Sequence, residues 1–228
     1  MSLFVIGDLH FSLCTDKPMD VFKGWHNYVE RLCTNWRACV TAQDTVIIPG
    51  DITWAMTLEQ ARADFELLDS LPGTKYILKG NHDYWWSTRS KAEAFFTANG
   101  FNTLNILHNS AARIGSLAVC GTRGWFYDAG EQADVKVIER EAGRLKASIT
   151  QAKALGGEPV VFLHYPPFMD DRICEPIYTV LVREGIKRCF YGHLHGWVSS
   201  ENAYRVADGI EFRLISADHL DFCPKLIV

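Results

Sequence analysis

Several features are absent from this sequence, and each absence excludes a class of protein. It has no apolar run that approaches the roughly 20 residues of a membrane helix, so we expect no membrane-spanning segment. Its formal net charge of −4 differs from the basic footprint of a dedicated nucleic-acid binder, so we expect no long nucleic acid as a partner. Its seven cysteines include no C-x-x-C pair, which argues against a structural zinc knuckle.

The first residues are typical of a strand and not of a targeting signal. The apolar run 3–6 begins almost at once, without the basic and long apolar regions of a signal peptide. Together with an odd number of cysteines, this predicts a cytoplasmic protein with free thiols. The chain has 228 residues, 48% of them hydrophobic, and no Pro/Gly/Ser-rich linker. We therefore predict a single domain over residues 1–228.

Two kinds of apolar pattern alternate along the chain. Short apolar runs bounded by Gly, Asp, Asn or His predict strands buried on both faces, at residues 3–6, 45–49, 76–79, 117–120, 160–163 and 188–191. Longer segments with helical spacing of apolar residues predict helices over residues 20–40, 58–71, 87–98 and 131–155.

The tail of the chain has a different pattern. Asp208-Gly209 is a strong tight-turn signal and predicts a hairpin of residues 204–207 and 210–216. Strands that alternate with helices, followed by a hairpin, predict an α/β fold with mixed sheets and with helices outside them.

Polar residues with metal-binding side chains directly follow five of the predicted strands. In open α/β sheets, ligands collect beyond the carboxyl ends of the strands, so these side chains are expected at one rim. A glycine precedes four of the five groups, which permits tight turns and a close approach of the backbone to a ligand. The groups are Gly7-Asp8-Leu9-His10, Gly50-Asp51, Gly80-Asn81-His82-Asp83, His164 and Gly192-His193-Leu194-His195-Gly196.

The donor atoms in these groups indicate the type of metal site. Carboxylate, amide and imidazole donors without thiolate suit Mn, Fe, Zn, Co or Ni, and suit Ca less well. Seven donors exceed the coordination number of one ordinary ion, but they suffice for two ions if one carboxylate bridges them. Such a pair, about 3.5–4 Å apart, can clamp the attacking and leaving oxygens of a phosphoryl displacement and generate hydroxide near neutral pH.

The five groups, in this order between residues 7 and 196, resemble the signature blocks of the calcineurin-like metallophosphoesterase superfamily. The resemblance implies a four-layer α/β fold of two packed mixed β-sheets flanked by helices. It also implies a phosphoester hydrolase in which a hydroxide held by a dinuclear metal centre attacks a phosphomonoester or phosphodiester. The implied cofactors are two divalent or trivalent metal ions, with Mn, Fe or Zn expected, and the implied partner is a small phosphorylated substrate.

The resemblance further implies a role for each matching side chain. His82 is not a ligand; it faces the substrate and either stabilises the phosphoryl oxygens or protonates the leaving group. That role suits an imidazole, whose ordinary pKa is about 6.5. Asp51 bridges both metals. The other implied ligands are Asp8, His10 and His195 for the first metal, and Asn81, His164 and His193 for the second.

The sequence departs from the Ser/Thr protein phosphatase branch of the superfamily at two places. That branch has an Asp three residues after the bridging carboxylate and then an Arg, whereas the stretch Asp51-Ile52-Thr53-Trp54 offers neither. The third block ends in Asp83, where that branch has Glu. The chain therefore resembles the phosphodiesterase-like bacterial branches more closely, and Asp83 is only a candidate for the residue that orients His82.

Three further residues are candidates for contacts with the substrate. Trp54 and Trp85 flank two of the blocks, and they either stack on a nucleobase or another flat leaving group or pack helix starts against the sheet. Arg123 follows a predicted strand and either contacts the substrate phosphate bidentately or forms a structural salt bridge. A nucleotide-like substrate is thus one alternative.

Two other functions of the same fold stay open at this point. A binding scaffold that had lost catalysis would usually lack a ligand or the substrate-facing His, and neither is missing here. A nuclease of the same superfamily fits poorly with the acidic balance of the chain. The sequence does not determine the natural substrate, the choice between phosphatase and phosphodiesterase, the metals or the oligomeric state.

Overall fold

A computed structural model of the chain describes residues 1–125 and 132–228, with only the backbone described for residues 132–134. These residues form two compact units. Unit 1 contains Met1–Ile106 and Ile215–Val228, and unit 2 contains Leu107–Leu214. The single domain over residues 1–228 stays a prediction. In the described part of the chain, no helix combines the length and the apolar character needed to cross a membrane.

Unit 1 is built on a five-stranded mixed sheet. Four strands run parallel in chain order, namely β1 (Leu3–Val5), β2 (Thr45–Ile48), β3 (Thr74–Ile77) and β4 (Leu104–Ile106). The last strand of the chain, β13 (Lys225–Leu226), pairs antiparallel with β1 at one edge. Because β1, β2 and β3 are parallel neighbours, their carboxyl ends lie along the same edge of this sheet.

Three α-helices belong to the same unit, in addition to a short 3₁₀ helix at Met19–Val21. They are α1 (Tyr28–Cys39), α2 (Arg62–Ser70) and α3 (Arg89–Asn99). Their apolar residues recur at helical spacing and join those of the strands in one hydrophobic core, where Trp36 and Phe65 are fully buried. Burial of one large apolar side chain stabilises a fold by about 1.5–3 kcal/mol, so this core fixes the helices against the sheet.

The first predicted helix is too long. The prediction covered residues 20–40, whereas α1 begins only at Tyr28. Gly24 and Asn27 have left-handed backbone torsions, with φ of 91° and 50°, and these conformations cannot continue a right-handed helix. The prediction rested on apolar spacing alone, and apolar spacing does not reveal that the backbone of this segment is not helical.

The third predicted strand is displaced along the chain. The prediction covered residues 76–79, whereas the strand is Thr74–Ile77 and includes the fully buried Lys75. The Lys75 ammonium group donates hydrogen bonds to the backbone carbonyl of Leu71 and, at 3.0 Å, to the hydroxyl of Thr103. Lys75 interrupts the apolar pattern, although its ammonium group is hydrogen-bonded inside the core. The pattern therefore did not predict the start of the strand.

Unit 2 is built on a six-stranded mixed sheet. In chain order its strands are β5 (Ala111–Ile114), β6 (Leu117–Thr122), β7 (Glu158–Leu163), β10 (Arg188–Tyr191), β11 (Tyr204–Ala207) and β12 (Ile210–Leu214). They lie in the order β11-β12-β10-β7-β6-β5. The four central strands are parallel, and each edge strand is antiparallel to its neighbour. A separate two-stranded sheet consists of β8 (Phe168–Met169) and β9 (Arg172–Ile173).

The helices of unit 2 are α4 (Gln132–Ala154), α5 (Glu175–Arg183) and α6 (Ser200–Ala203). The prediction over residues 131–155 matches α4, although its first residue lies outside the described part of the chain. The short helix α5 was not predicted, even though its proline in the first turn is a common helix-start signal.

The predicted hairpin near the end of the chain is confirmed. The strands β11 and β12 pair antiparallel, and Asp208 and Gly209 between them have φ of 49° and 74°. Two successive left-handed residues form the tight turn whose twist matches that of the flanking strands. With this hairpin, the prediction of an α/β fold with two mixed sheets and flanking helices is confirmed.

Candidate metal centre

In unit 1 the first two predicted blocks are joined where β1 and β2 end. The backbone N–H of Asp8 donates to the carbonyl of Gly50 at 3.1 Å, and that of His10 donates to the carbonyl of Asp51 at 2.9 Å. These bonds continue the pairing of the parallel strands beyond their ends. They place the candidate ligands of both blocks next to each other.

The backbone at these candidate ligands is unusual. Asp8, His10 and Asp51 have φ of 58°, 48° and 52°, and His193 in unit 2 has φ of 72°. Only a few per cent of non-glycine residues adopt this left-handed conformation, and it costs about 1–3 kcal/mol each time. Four of the seven predicted ligands share it, and such strain is typical of residues held in place for function.

Two glycines explain how the second and third blocks approach each other. A Cβ atom at Gly80 would lie 2.0 Å from Oδ1 of Asp51, and one at Gly50 would lie 2.4 Å from the backbone nitrogen of Gly80. Any side chain at either position would collide with the other loop. The backbone N–H of His82 uses this proximity and donates to Oδ1 of Asp51 at 2.8 Å.

The electrostatics of this cluster favour a bound cation. Asp8, His10 and Asp51 are almost completely buried, and Nε2 of His10 lies 3.7 Å from Oδ2 of Asp51. Burial raises the pKa of Asp51 well above its usual range, and the nearby carboxylates of Asp83 and Asp8 add to that effect. Buried carboxylates beside an imidazole are oxygen and nitrogen donors that a divalent cation would neutralise, so the residues present fit a metal ion.

Asp83 joins two of these loops. Its buried carboxylate accepts hydrogen bonds from the backbone N–H groups of Asp51 and Ile52, both at 2.9 Å. It also accepts from the backbone N–H of Gly80 at 2.7 Å and from the indole N–H of Trp85 at 2.9 Å. Burial raises the pKa of Asp83, and these donors counteract the shift. The carboxylate therefore fixes the loop of the bridging candidate against the loop that begins at Gly80.

His82 is surrounded by aromatic side chains. Its Nδ1 lies 3.1 Å from the hydroxyl of Tyr84, and its ring centroid lies 4.2 Å from that of Trp54. The Trp54 ring also stacks on His10, with centroids 5.0 Å apart and planes 21° apart. Trp54 thus packs between two residues of the predicted site. The proposed contact of Trp54 with substrate stays a prediction.

Trp85 occupies a different environment from Trp54. It is 3% exposed, and its ring meets that of Phe65 edge-on at 4.9 Å between centroids. Its indole N–H is taken by Asp83. This burial is typical of a packing residue, and the proposed contact of Trp85 with substrate stays a prediction.

In unit 2, two of the predicted histidine ligands lie together. The rings of His164 and His193 are 5.1 Å apart at their centroids and nearly perpendicular, at 75°. The backbone N–H of Gly192 donates to the carbonyl of His164 at 3.1 Å, which joins the ends of β7 and β10. His195 follows in the same loop after β10. His164 is fully buried, so its ring position is defined by the core around it.

Arg123 lies just beyond the end of β6 and is fixed through its backbone. Its carbonyl accepts hydrogen bonds from the N–H groups of His164 and Tyr165, at 3.0 and 2.9 Å. Its guanidinium carbon lies 4.5 Å from the centroid of the Trp125 ring, a cation–π contact. The contact of Arg123 with a substrate phosphate stays a prediction.

Two features of the site were not predicted. The hydroxyl of Tyr84 on His82 was missed, although a tyrosine two residues after the substrate-facing histidine was visible in the sequence. Tyr165 was missed as well; its ring lies 4.4 Å from that of His193.

The comparison with protein families agrees with this arrangement. Residues 1–197 match the family model described as calcineurin-like phosphoesterase. The match covers most of the chain, and the chain therefore belongs to the calcineurin-like phosphoesterase family. The resemblance inferred from the five blocks is thereby confirmed, while the assignment to a phosphodiesterase-like bacterial branch stays a prediction.

Solved structures with the same fold are distant in sequence. The protein TT1561 of Thermus thermophilus is similar with a TM-score of 0.59 and 11% identity, over 99% of this chain and 97% of that one. A protein of unknown function from Aquifex aeolicus, AQ665, is similar with a TM-score of 0.52 and 16% identity, over 99% and 95%. At these identities the likeness concerns the fold alone. Among curated proteins, no match to the chain was found.

Proposed function

We propose that the protein is a metal-dependent phosphoester hydrolase with a dinuclear centre. Asp51 is the bridging ligand in this proposal. The remaining ligands are Asp8, His10 and His195 for one metal, and Asn81, His164 and His193 for the other. Membership of the family supports the reaction class, and side chains of both units offer carboxylate and imidazole ligand atoms.

The cluster of Asp8, His10 and Asp51 in unit 1 carries the proposal. All three are buried, all three have left-handed backbone torsions, and their loops are hydrogen-bonded to each other. Apolar residues at these positions would give a more stable fold, because burying like charges together is costly. A cation offsets this cost. The histidines of unit 2 are included among the proposed metal ligands because of the family resemblance.

The chemistry divides between the metals and the chain. When bound, two such ions supply a nucleophile from water and neutralise charge on the phosphoryl oxygens. Of the chain's own residues, His82 is proposed to donate a hydrogen bond or a proton to the substrate, which typically contributes 10²–10⁴-fold in rate. The Asp83 carboxylate keeps the loops of Asp51 and His82 in register.

The proposed substrate is a small phosphorylated ester, and Mn, Fe and Zn are the proposed metals. Hydrolysis of p-nitrophenyl phosphate and of bis-p-nitrophenyl phosphate, measured with each metal in turn, tests this directly and separates phosphatase from phosphodiesterase activity. We expect turnover of at least one ester that depends on added metal. Failure of both esters with a protein shown to carry metal would favour the inactive scaffold.

His82→Ala tests the division of roles. We expect metal content to stay unchanged while turnover falls by about 10²-fold or more. Metal analysis of the purified variant is the decisive measurement, because loss of metal would show that His82 is a ligand.

A cytoplasmic location of the protein stays a prediction.

A further inference from the structure

The substrate-facing histidine of the proposed mechanism needs a partner that sets its ring orientation. A neutral imidazole has one N–H and one acceptor nitrogen, and the hydrogen bond at one nitrogen determines which tautomer the other presents. Asp83, the candidate from the sequence, accepts four hydrogen bonds from the N–H groups of two loops and of Trp85. The contact at Nδ1 of His82 comes from another residue.

That residue is Tyr84. Its hydroxyl lies 3.1 Å from Nδ1 of His82, within hydrogen-bond distance. A tight turn produces the contact, because the backbone N–H of Tyr84 donates to the carbonyl of His82 at 2.8 Å. The two rings meet edge-on, with centroids 5.9 Å apart and planes at 72°. The Trp54 ring, 4.2 Å away, packs against the same imidazole.

The exposure of Tyr84 argues against a role in packing. Its side chain is 50% exposed, whereas the neighbouring Trp85 and Trp86 are 3% and 6% exposed. A half-exposed phenol stabilises the core little, and its hydroxyl points to the one imidazole that the proposed mechanism uses. The turn therefore presents Tyr84 to His82 while the two tryptophans anchor it.

We propose that Tyr84 is a positioning residue for His82. Its hydroxyl donates to Nδ1, so the imidazole carries its one proton on Nε2. Of the two roles proposed for His82, this arrangement selects hydrogen-bond donation from Nε2 to the substrate. The inference rests on the proposed function, in which His82 contacts the phosphoester. It assigns the orienting role to a phenol hydroxyl two residues along the same loop.

Tyr84→Phe tests the proposal because it removes only the hydroxyl. Tyr204→Phe is the matched control, since Tyr204 is 48% exposed and lies on β11, outside the predicted site. We expect Tyr84→Phe to lower kcat by about 10-fold with little change in KM, and the control to match the wild type. In a His82→Ala background, Tyr84→Phe should cause no further loss, because the two residues act as one unit.

A second measurement does not depend on activity. In metal-free protein labelled with ¹⁵N-histidine, the ring nitrogen resonances of His82 are assigned by their loss in His82→Gln. Tyr84→Phe should shift them, and Tyr204→Phe should leave them in place. Unshifted resonances in Tyr84→Phe would overturn the proposal, and so would a shift accompanied by wild-type kcat. If wild-type protein shown to carry metal hydrolyses neither ester, the proposed function fails and the positioning role fails with it, while the shift would still establish the contact.

Discussion

The two units hold their candidate ligands by different means. In unit 1 the carboxylates of Asp8 and Asp51 are buried together and fixed by hydrogen bonds between loops. In unit 2 the rings of His164 and His193 contact each other and Tyr165, and an imidazole adds no negative charge to a buried cluster. The difference teaches that unit 1 bears most of the electrostatic cost of the candidate centre, so changes there should have the larger effects.

The largest effect is expected from Asp51→Asn. Both proposed metals share this carboxylate, and the change removes charge at the centre of the buried cluster. Loss of an outer hydrogen-bond partner alone costs about 10–100-fold in metal affinity or activity, so loss of the bridging ligand should exceed about 100-fold. Esterase rates together with metal content by elemental analysis provide the measurement.

His193→Ala in unit 2 is the counterpart that tests the comparison. It removes one proposed ligand of one metal and leaves the buried carboxylates unchanged. We expect a smaller loss of activity than for Asp51→Asn, and recovery of part of it at higher metal concentration. Equal losses in the two variants would contradict the division between the units, and a fully metallated Asp51→Asn protein with the wild-type rate would contradict the bridging assignment.

The next effect, on stability, is expected from Asp83→Asn. An amide can replace only one of the two carboxylate oxygens, so two of the four N–H donors would face an NH₂ group. Each unsatisfied buried donor costs about 1–3 kcal/mol, and we expect a loss of about 4 kcal/mol in the free energy of unfolding. Activity should fall as well, because the loop of Asp51 loses its anchor. Urea unfolding and esterase assays measure the two losses.

Asp44→Asn is the control for this prediction. The Asp44 carboxylate also accepts backbone N–H groups, from Ser2 at 2.7 Å and Thr41 at 2.9 Å, but it lies before β2 and away from the candidate ligands. It should lose stability and keep its activity. If Asp44→Asn reduced esterase activity as much as Asp83→Asn, general destabilisation would explain both.

Local signals allowed the sequence to predict the elements that carry the site. The apolar runs that end in Gly50-Asp51 or Gly7-Asp8 are visible without any long-range information, and so is the Asp208-Gly209 turn. The carboxylate of Asp83 is different, because it accepts from residues 31 and 32 positions away in the chain. No spacing rule in a single sequence encodes such partners.

The tyrosine at His82 was missed for a related reason. Tyr84 is close in sequence, but its contact depends on the geometry of one turn and on a side-chain rotamer. The helix over residues 20–40 was overextended because apolar spacing ignores the backbone at Asn27, where φ is 50°. Pattern predicts which residues are buried, whereas turns and buried polar contacts need coordinates.

The smallest effect is expected at a buried charge of unit 1 that lies outside the candidate site. Lys75 is fully buried in β3, and burial lowers its pKa from 10.5 to about 8. Between these values the unfolded chain binds more protons than the folded protein, so stability rises with pH. We expect the free energy of unfolding to rise by about 1.5 kcal/mol from pH 8 to 9.5, relative to Lys75→Met. Urea unfolding of both proteins across this window measures the difference.

A difference that does not change with pH would mean that the Lys75 ammonium group is not desolvated. The predicted rise would show that unit 1 also tolerates a buried charge where backbone carbonyls accept its hydrogen bonds. Burial of charge therefore identifies the candidate centre only together with the strained backbone at Asp8, His10 and Asp51.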